Sequence, residues 1–218
     1  EWLRHAGILC CYAPGVNANA VAEYVVSCVA QLSIKKLLPE KSHVGIIGLG
    51  HVGASVEKKL SALDFKVVYN DPPRAQQESD FHSTPLAEFY NLDLICISVP
   101  LTKATGFPTY HLLDQLFLSK LKPGCIVLNT ARGAVIDNHA LRAAEQVIAC
   151  LDVWEHEPHI DLNMLKRAEI ATPHIAGYSR QAKLKATYTI YEKFIRHFNL
   201  NDIHHNKSFD QLNNNIKL

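Results

Sequence analysis

The sequence has no marked excess of either charge and no long apolar segment. Its 218 residues include 22 Lys and Arg against 21 Asp and Glu, which leaves a formal net charge of +1. That balance gives no bulk electrostatic attraction to nucleic acid or to an anionic membrane. No uninterrupted apolar run reaches the roughly 18 residues that a membrane-spanning helix needs. We therefore expect neither nucleic acid nor a membrane as a partner.

Cysteine is present, but not in the spacing of a metal site or a redox pair. None of the six cysteines forms a CxxC pair, and three lie inside apolar runs, where a thiol behaves as a small buried hydrophobe. The N-terminus also lacks a basic stretch followed by an apolar core. We expect core thiols in a reducing, cytoplasmic protein. The cysteines are Cys10, Cys11, Cys28, Cys96, Cys125 and Cys150.

Two histidine pairs raise the question of a metal site. His156 and His159 are three residues apart, and His204 and His205 are adjacent. A zinc site needs three or four ligands that converge, and no such set is evident along the chain. The sequence therefore predicts no metal.

Methionine is almost absent. The chain begins at Glu1 and its only methionine is Met164. A chain that starts in this way is not an unprocessed translation product, so we expect a piece of a longer protein.

Six short apolar runs alternate with helical patterns between residues 40 and 172. The runs are apolar throughout, which is typical of strands buried on both faces of a parallel sheet. Their alternation with helices predicts an α/β fold, a doubly wound parallel sheet of the Rossmann type. The predicted strands are 44–47, 66–69, 94–99, 125–128, 147–151 and a weaker 170–172, and the predicted helices between them are 52–63, 85–91, 113–118, 138–145 and 161–168.

Further segments flank this predicted domain. Longer helices are predicted at 18–37, which Pro39 ends, and at 179–198. An apolar stretch at 7–10 has the character of a strand and belongs to neither helix nor sheet. The region before residue 17 therefore resembles the end of a larger unit.

A glycine motif follows the first predicted strand directly and opens a helix. It runs Gly48-Leu49-Gly50-His51-Val52-Gly53. The first glycine permits a tight turn, the second lets a pyrophosphate approach the backbone, and the third allows close packing of helix on strand. The helix N-terminus then offers free N–H groups to the phosphates. The motif predicts a dinucleotide site.

Asp71 stands at the end of the second predicted strand, where a carboxylate accepts hydrogen bonds from the adenosine ribose. The same charge repels a 2′-phosphate, so NAD is favoured over NADP as the cofactor. Arg74 lies close by and softens that exclusion.

Three polar residues follow later strands and are expected at the same sheet edge. Arg132 suits bidentate binding of a substrate carboxylate. His174 carries an imidazole, the side chain best suited to proton exchange with a substrate hydroxyl near neutral pH, and Glu157 is placed to fix its tautomer. Each also has a simpler interpretation: a capping arginine, a surface glutamate and a structural histidine.

Together these motifs resemble the D-2-hydroxyacid dehydrogenase family. The general resemblance lies in residues 48–53, 129–133, 152–158 and 172–174, and residues 14–24, 71–75 and 172–178 point to a branch acting on 4-phospho-D-erythronate. That branch oxidises the 2-hydroxyl with NAD in the route to pyridoxal 5′-phosphate. Alternatives are another member of the family, such as one acting on 3-phosphoglycerate, or a non-catalytic NAD-binding remnant.

The resemblance implies a role for each matching residue. His174 becomes the acid/base, Glu157 its partner and Arg132 the substrate anchor, with Tyr178 as a further substrate contact. Position 99 holds a valine where related enzymes often have threonine. The implied cofactor-binding residues are Gly48, Gly50, His51, Val52, Gly53, Asp71, Val99, Thr130, Ala131, Arg132, Asp152 and Gly177.

The resemblance also implies how the chain is divided. A small phosphorylated hydroxyacid is the expected substrate, and a homodimer is expected at full length. The implied parts are a remnant of a split flavodoxin-like substrate domain (1–17), a connecting helix (18–38), the NAD-binding Rossmann domain (39–173), a return helix (174–198) and the start of a dimerisation segment (199–218).

Overall fold

Six parallel strands form one sheet in the computed structural model, which describes residues 2–104 and 106–200. Their order across the sheet is β2-β1-β3-β4-β5-β6. Because the order reverses between β1 and β3, a crevice opens outside the carboxyl ends of these two strands, where such sheets bind ligands. The predicted doubly wound α/β fold is confirmed. The strands are His43–Ile47 (β1), Lys66–Asn70 (β2), Leu94–Ile97 (β3), Ile126–Asn129 (β4), Ile148–Leu151 (β5) and Ile170–Ala171 (β6).

Most helices between the strands begin at a side-chain oxygen that accepts a hydrogen bond from the first turn, as favourable N-caps do. The capping residues are Asp71, Asp114, Asp137, Asp161 and Ser179. The helices are Trp2–His5 (α1), Ala18–Ile34 (α2), His51–Ser61 (α3), Pro72–Ala75 (α4), Gln115–Lys120 (α5), Asn138–Ala143 (α6), Leu162–Arg167 (α7) and Arg180–His197 (α8), with 3-10 helices at Leu86–Asn91 and Gly133–Val135.

Helices cover both faces of the sheet, so the side chains on both faces of its central strands are buried. In β3, Leu94 and Cys96 pack in the core shared with α2 and α3, whereas Ile95 and Ile97 pack in the core shared with α5, α6 and α7. This alternation explains the unbroken apolar runs of the sequence, because neither face of a strand meets water. Cys28, Cys96, Cys125 and Cys150 are buried, and Cys10 and Cys11 are exposed.

Several predicted boundaries differ from the observed ones. Helix α2 ends at Ile34 instead of residue 37 because Lys36 turns to a φ of 59°. Strand β3 ends at Ile97 instead of residue 99, and Pro100, three residues later, has no N–H with which to continue a ladder. The predicted helix 85–91 is a 3-10 helix.

The strand-like interpretation of residues 7–10 was wrong. Gly7 turns the chain at a φ of +69°, and the Ile8 N–H donates to the Leu3 carbonyl at 2.9 Å, closing the end of α1. Residues 8–13 have no regular secondary structure, and no strand of the described sheet runs beside them. Leu9 is consequently 72% exposed.

Helix α8 lies within the predicted return segment 174–198 and continues to His197. Most of the predicted dimerisation segment, residues 201–218, lies outside the described residues. Within the part of the chain that is described, no helix combines the length and apolar character needed to cross a bilayer.

Candidate active site

The glycine motif forms a tight connection from β1 into α3. Gly48 adopts a φ of +88°, and a Cβ there would lie 2.6 Å from Val99 Cγ1. A Cβ on Gly53 would lie 1.9 Å from the Gly48 carbonyl oxygen, so α3 can begin directly against the turn only with glycine at this position. Gly50, by contrast, faces open space. The backbone around Gly50 is therefore accessible to a ligand.

Asp71 links the end of β2 to this turn. Its Oδ2 accepts a hydrogen bond from the Leu49 N–H at 2.8 Å, and its Oδ1 accepts one from the Arg74 N–H at 3.1 Å. Arg74 in turn donates from Nη1 to the Leu49 carbonyl at 3.2 Å, while its Nε pairs with Glu78. The carboxylate thus fixes the shape of the turn and borders the crevice at the same time.

A cavity of about 800 Å³ lies over the crevice between β1 and β3. Most of its lining is apolar, which suits the flat face of an aromatic ring. The Ser98 hydroxyl at its border is buried and has no hydrogen-bond partner among the residues that the structure describes. The lining includes Gly48, Gly50, Asp71, Pro72, Val99, Thr102, Phe107, Pro108 and Leu112.

A second, smaller cavity of about 240 Å³ brings together residues from the loops after β4, β5 and β6 and from the start of α2. Six of the predicted site residues line it, so positions far apart in sequence meet at the carboxyl edge of the sheet. Asn17 and Val21, at the start of α2, complete the wall. The predicted residues are Thr130, Arg132, Asp152, His174, Gly177 and Tyr178.

His174 and Glu157 form a hydrogen-bonded pair at this cavity. The imidazole Nδ1 lies 2.8 Å from Glu157 Oε2, and Glu157 Oε1 accepts from the Trp154 N–H at 2.6 Å. Because Nδ1 is engaged with the carboxylate, Nε2 is the nitrogen left to exchange a proton with a substrate. The His174 side chain is 46% exposed, so small molecules can reach it.

Arg132 is exposed on the turn that follows β4, and the buried side chain of Asn129 holds this turn in shape. Asn129, with no exposed surface, accepts from the Ala131 N–H and donates from Nδ2 to the Arg132 carbonyl, both at 3.0 Å. This amide holds the turn open so that the guanidinium stands at the cavity. There its Nη1 donates to the Ala131 carbonyl at 2.6 Å, leaving further donors for an anion.

Tyr178 lies at the outer rim and is 71% exposed. The Lys183 ammonium stands 3.6 Å from the centre of its ring, and a hydrogen bond from that ammonium holds the pKa of the phenol below its ordinary value. The rim of the cavity is therefore positively charged.

Some predicted residues lie beside these cavities instead of lining them. His51 is exposed at the start of α3. Its ring packs closely on Gly15, since a Cβ at Gly15 would lie 2.8 Å from the His51 Cγ. Val52 is half-buried against the α2–α3 core, Gly53 packs on the turn, and Ala131 is buried in the opposite core. These four residues therefore flank the cavities without lining them.

Sequence reasoning assigned no site role to Asn17, Ser98 or Asn129. The first two border the cavities, and the third shapes the Arg132 turn. A polar residue directly after or within an apolar strand was the available signal for Ser98 and Asn129. Among the described residues, no three His, Cys, Asp or Glu side chains are grouped as a metal site requires.

The comparison with protein families decides the relationship. The model of the D-isomer specific 2-hydroxyacid dehydrogenase NAD binding domain matches residues 20–176. The chain belongs to the D-2-hydroxyacid dehydrogenase family. The resemblance seen in its motifs is thereby confirmed, and residues 20–176 form the NAD-binding domain of this family.

Individual relatives support the same assignment. The chain is 54% identical to an erythronate-4-phosphate dehydrogenase of Coxiella burnetii (strain RSA 331 / Henzerling II). The match covers the whole of this chain and 60% of the relative. It is 40% identical over 182 residues to the Legionella pneumophila (strain Philadelphia 1) protein of that name, covering 83% of this chain and 52% of the relative. The chain thus spans about 60% or less of these relatives.

A solved structure shows the same architecture. The D-lactate dehydrogenase of Aquifex aeolicus, complexed with NAD and lactic acid, superposes with a TM-score of 0.73 at 26% identity. The match covers 90% of this chain and 72% of the other.

Proposed function

We propose that this dehydrogenase chain carries the cofactor site and the catalytic residues for NAD-dependent oxidation of 4-phospho-D-erythronate at its 2-hydroxyl. The product is 2-oxo-3-hydroxy-4-phosphobutanoate, a step in pyridoxal 5′-phosphate biosynthesis. The observation that carries the proposal is that His174, whose Nδ1 is hydrogen-bonded to Glu157, lines one cavity together with Arg132. Its occurrence in a chain 54% identical to an erythronate-4-phosphate dehydrogenase supports this choice of substrate.

The crevice fits NAD on several grounds. Gly50 leaves open space where a pyrophosphate would approach the start of α3, whose N-terminus favours negative charge. Asp71 is in place to hold a ribose and to disfavour a 2′-phosphate. Ser98 offers a buried hydroxyl that has no partner among the described residues. When bound, NAD supplies the acceptor for the hydride that leaves C2 of the substrate.

The side chains at and beside the smaller cavity bind the substrate and move its hydroxyl proton. Arg132 holds the substrate carboxylate through two parallel N–H donors. His174 takes the hydroxyl proton on Nε2 as the C–H bond breaks. Glu157, bonded to Nδ1, keeps the ring in the tautomer that presents Nε2 and stabilises the imidazolium that forms. Tyr178 and Lys183 add a contact and a positive charge at the rim.

The remaining parts of the proposal concern the whole protein. Residues 1–17 belong to a substrate domain, 18–38 connect it to the NAD-binding domain at 39–173, and 174–198 return towards it. Residues 199–218 begin a dimerisation segment, and the protein acts in the cytoplasm as a homodimer. Size-exclusion chromatography with light scattering tests the dimer: a monomer at micromolar concentration would overturn that part.

Turnover of two phosphorylated acids separates the alternatives. The native-length protein is expected to reduce NAD with 4-phospho-D-erythronate at a much higher kcat/KM than with 3-phosphoglycerate, followed by NADH absorbance. Preference for 3-phosphoglycerate would move the enzyme to another branch of the family. NADH binding without turnover of either acid would favour the non-catalytic module.

Substitution of Gly50 by alanine tests the cofactor site without disturbing the fold. Because a Cβ at Gly50 meets no protein atom, the melting temperature should stay that of the wild type. The methyl group instead projects into the crevice, so the Kd for NADH should rise at least about tenfold, the equivalent of about 1.4 kcal/mol. Fluorescence titration measures the Kd. Unchanged NADH affinity in this variant would place the pyrophosphate elsewhere.

A further inference from the structure

A chain of hydroxyl groups connects helix α2 to the loop that carries His174. The Tyr24 hydroxyl lies 2.6 Å from Thr172 Oγ1, which lies 2.6 Å from Asp152 Oδ1. The Asp152 carboxylate can only accept, so the single Thr172 proton points to it. Tyr24 must therefore donate to Thr172, which gives the chain one direction, from Tyr24 to Asp152.

Asp152 is the point where this chain meets the His174 loop. The residue is 1% exposed, and its carboxylate also accepts from the Ile175 N–H at 2.8 Å and the Ala176 N–H at 2.9 Å. Its backbone carbonyl accepts from the His174 N–H at 2.7 Å. The residue therefore anchors three successive backbone N–H groups, those of residues 174 to 176.

The anchored loop has a backbone conformation that needs such support. His174 adopts a φ of +58°, in the left-handed region that residues with a Cβ seldom occupy. Strained conformations of this kind persist at functional sites only where the surroundings over-determine them. Without a fixed Asp152, the loop is free to relax towards a φ that rotates the imidazole away from Glu157.

Tyr24 is suited to a permanent donor role. Burial raises the pKa of its phenol far above the ordinary value, so the group keeps its proton at any working pH. It lies on the long helix α2, whose packing against the sheet is fixed by the buried side chains of Val25, Cys28 and Val29. The donor is therefore held on a rigid element.

We propose that Tyr24 is a positioning residue for His174, acting through the Thr172 hydroxyl and the Asp152 carboxylate. The inference rests on the proposed role of His174 as the acid/base. Tyr24 itself lines neither the cavity over the crevice nor the smaller cavity. Its contribution is to orient the carboxylate that fixes the backbone of residues 174 to 176.

Two substitutions at Thr172 and one at Tyr24 test the chain. Thr172→Val keeps the shape and removes the hydroxyl, Thr172→Ser keeps the hydroxyl, and Tyr24→Phe removes only the donor. Tyr90→Phe is the matched control, because Tyr90 packs edge-to-face on Phe117 in the opposite core.

The first readout needs no cofactor and no turnover. In ¹H–¹⁵N spectra of the apo chain, Tyr24→Phe and Thr172→Val should shift the His174 amide and weaken the ring signal that reports the Nδ1–Glu157 hydrogen bond. Thr172→Ser and Tyr90→Phe should keep the wild-type signals. A purely structural role would lower the melting temperature of the first two variants and leave both His174 signals in place, which would overturn the inference.

The second readout is kinetic and uses the native-length enzyme. Misplacement of the acid/base should lower kcat by about tenfold to a hundredfold in Tyr24→Phe and Thr172→Val, with activity restored in Thr172→Ser. Loss of activity in Thr172→Ser equal to that in Thr172→Val would contradict the hydroxyl chain. If the wild type turns over neither acid, the proposed function fails, whereas the spectra still decide whether Tyr24 positions His174.

Discussion

Replacement of His174 by alanine is expected to lower kcat by about 10²- to 10⁴-fold, the contribution typical of a positioned acid/base. The physical reason is that His174 lines the same cavity as Arg132 and is hydrogen-bonded through Nδ1 to Glu157, which leaves Nε2 to take the hydroxyl proton. Initial-rate measurements with 4-phospho-D-erythronate and NAD give the effect. The Kd for NADH should remain within a factor of about two of the wild type, because the glycine crevice and its cavity are lined by other residues.

The chain offers a close control for this substitution. His159 is an exposed histidine two residues beyond Glu157, and His159→Ala should leave kcat unchanged. Glu157→Gln should give an intermediate loss, since the amide still occupies the position beside Nδ1 without the negative charge. Full turnover in His174→Ala would remove the acid/base role from this residue.

The fold was predictable because its strands are buried on both faces. A short, unbroken apolar run such as 94–97 is typical of a buried strand, and four of the five α-helices between the strands begin at an Asp cap. The ends of the elements were less predictable. They depend on local backbone events, such as the φ of 59° at Lys36, that no periodicity reveals.

Part of the candidate site could be located from local sequence. Gly48, Asp71 and Arg132 each follow a strand, and the carboxyl ends of parallel strands share one edge, so their positions in the sequence place them at that edge. The supporting partners were not predictable in this way. Tyr24 and Thr172 are 148 residues apart, and only the packing of α2 near the end of β6 brings their hydroxyls together.

Gly133 is required for a reason that the sequence does not reveal. A glycine directly after Arg132 suggests room for a substrate to approach the backbone. In the structure, a Cβ at this position would lie 1.9 Å from the carbonyl carbon of Trp154 and 2.2 Å from the Glu155 nitrogen. The close neighbour is therefore the loop that follows β5, and that loop carries Glu157.

Substitution of Gly133 by alanine should for this reason affect stability and catalysis together. The methyl group meets backbone atoms that no rotamer change can move, and we expect a loss of about 3 kcal/mol or more in the free energy of unfolding, at the upper end for overpacking. Because the Trp154 N–H donates to Glu157 Oε1, displacement of this loop also separates Glu157 from His174. Urea denaturation measures the first effect, and kcat of the folded fraction measures the second.

Gly106→Ala provides the matched comparison, since a Cβ at Gly106 meets no atom within 4 Å. Its free energy of unfolding should stay within about 0.5 kcal/mol of the wild type, as for most surface substitutions. Should Gly133→Ala unfold at the same urea concentration as Gly106→Ala, the contact with Trp154 does not constrain the loop. If Gly133→Ala is destabilised but retains full kcat, the loop after β5 adapts to the methyl group without displacing Glu157. The geometry of the His174–Glu157 pair is then set by residues 172 to 176 and their Asp152 anchor alone.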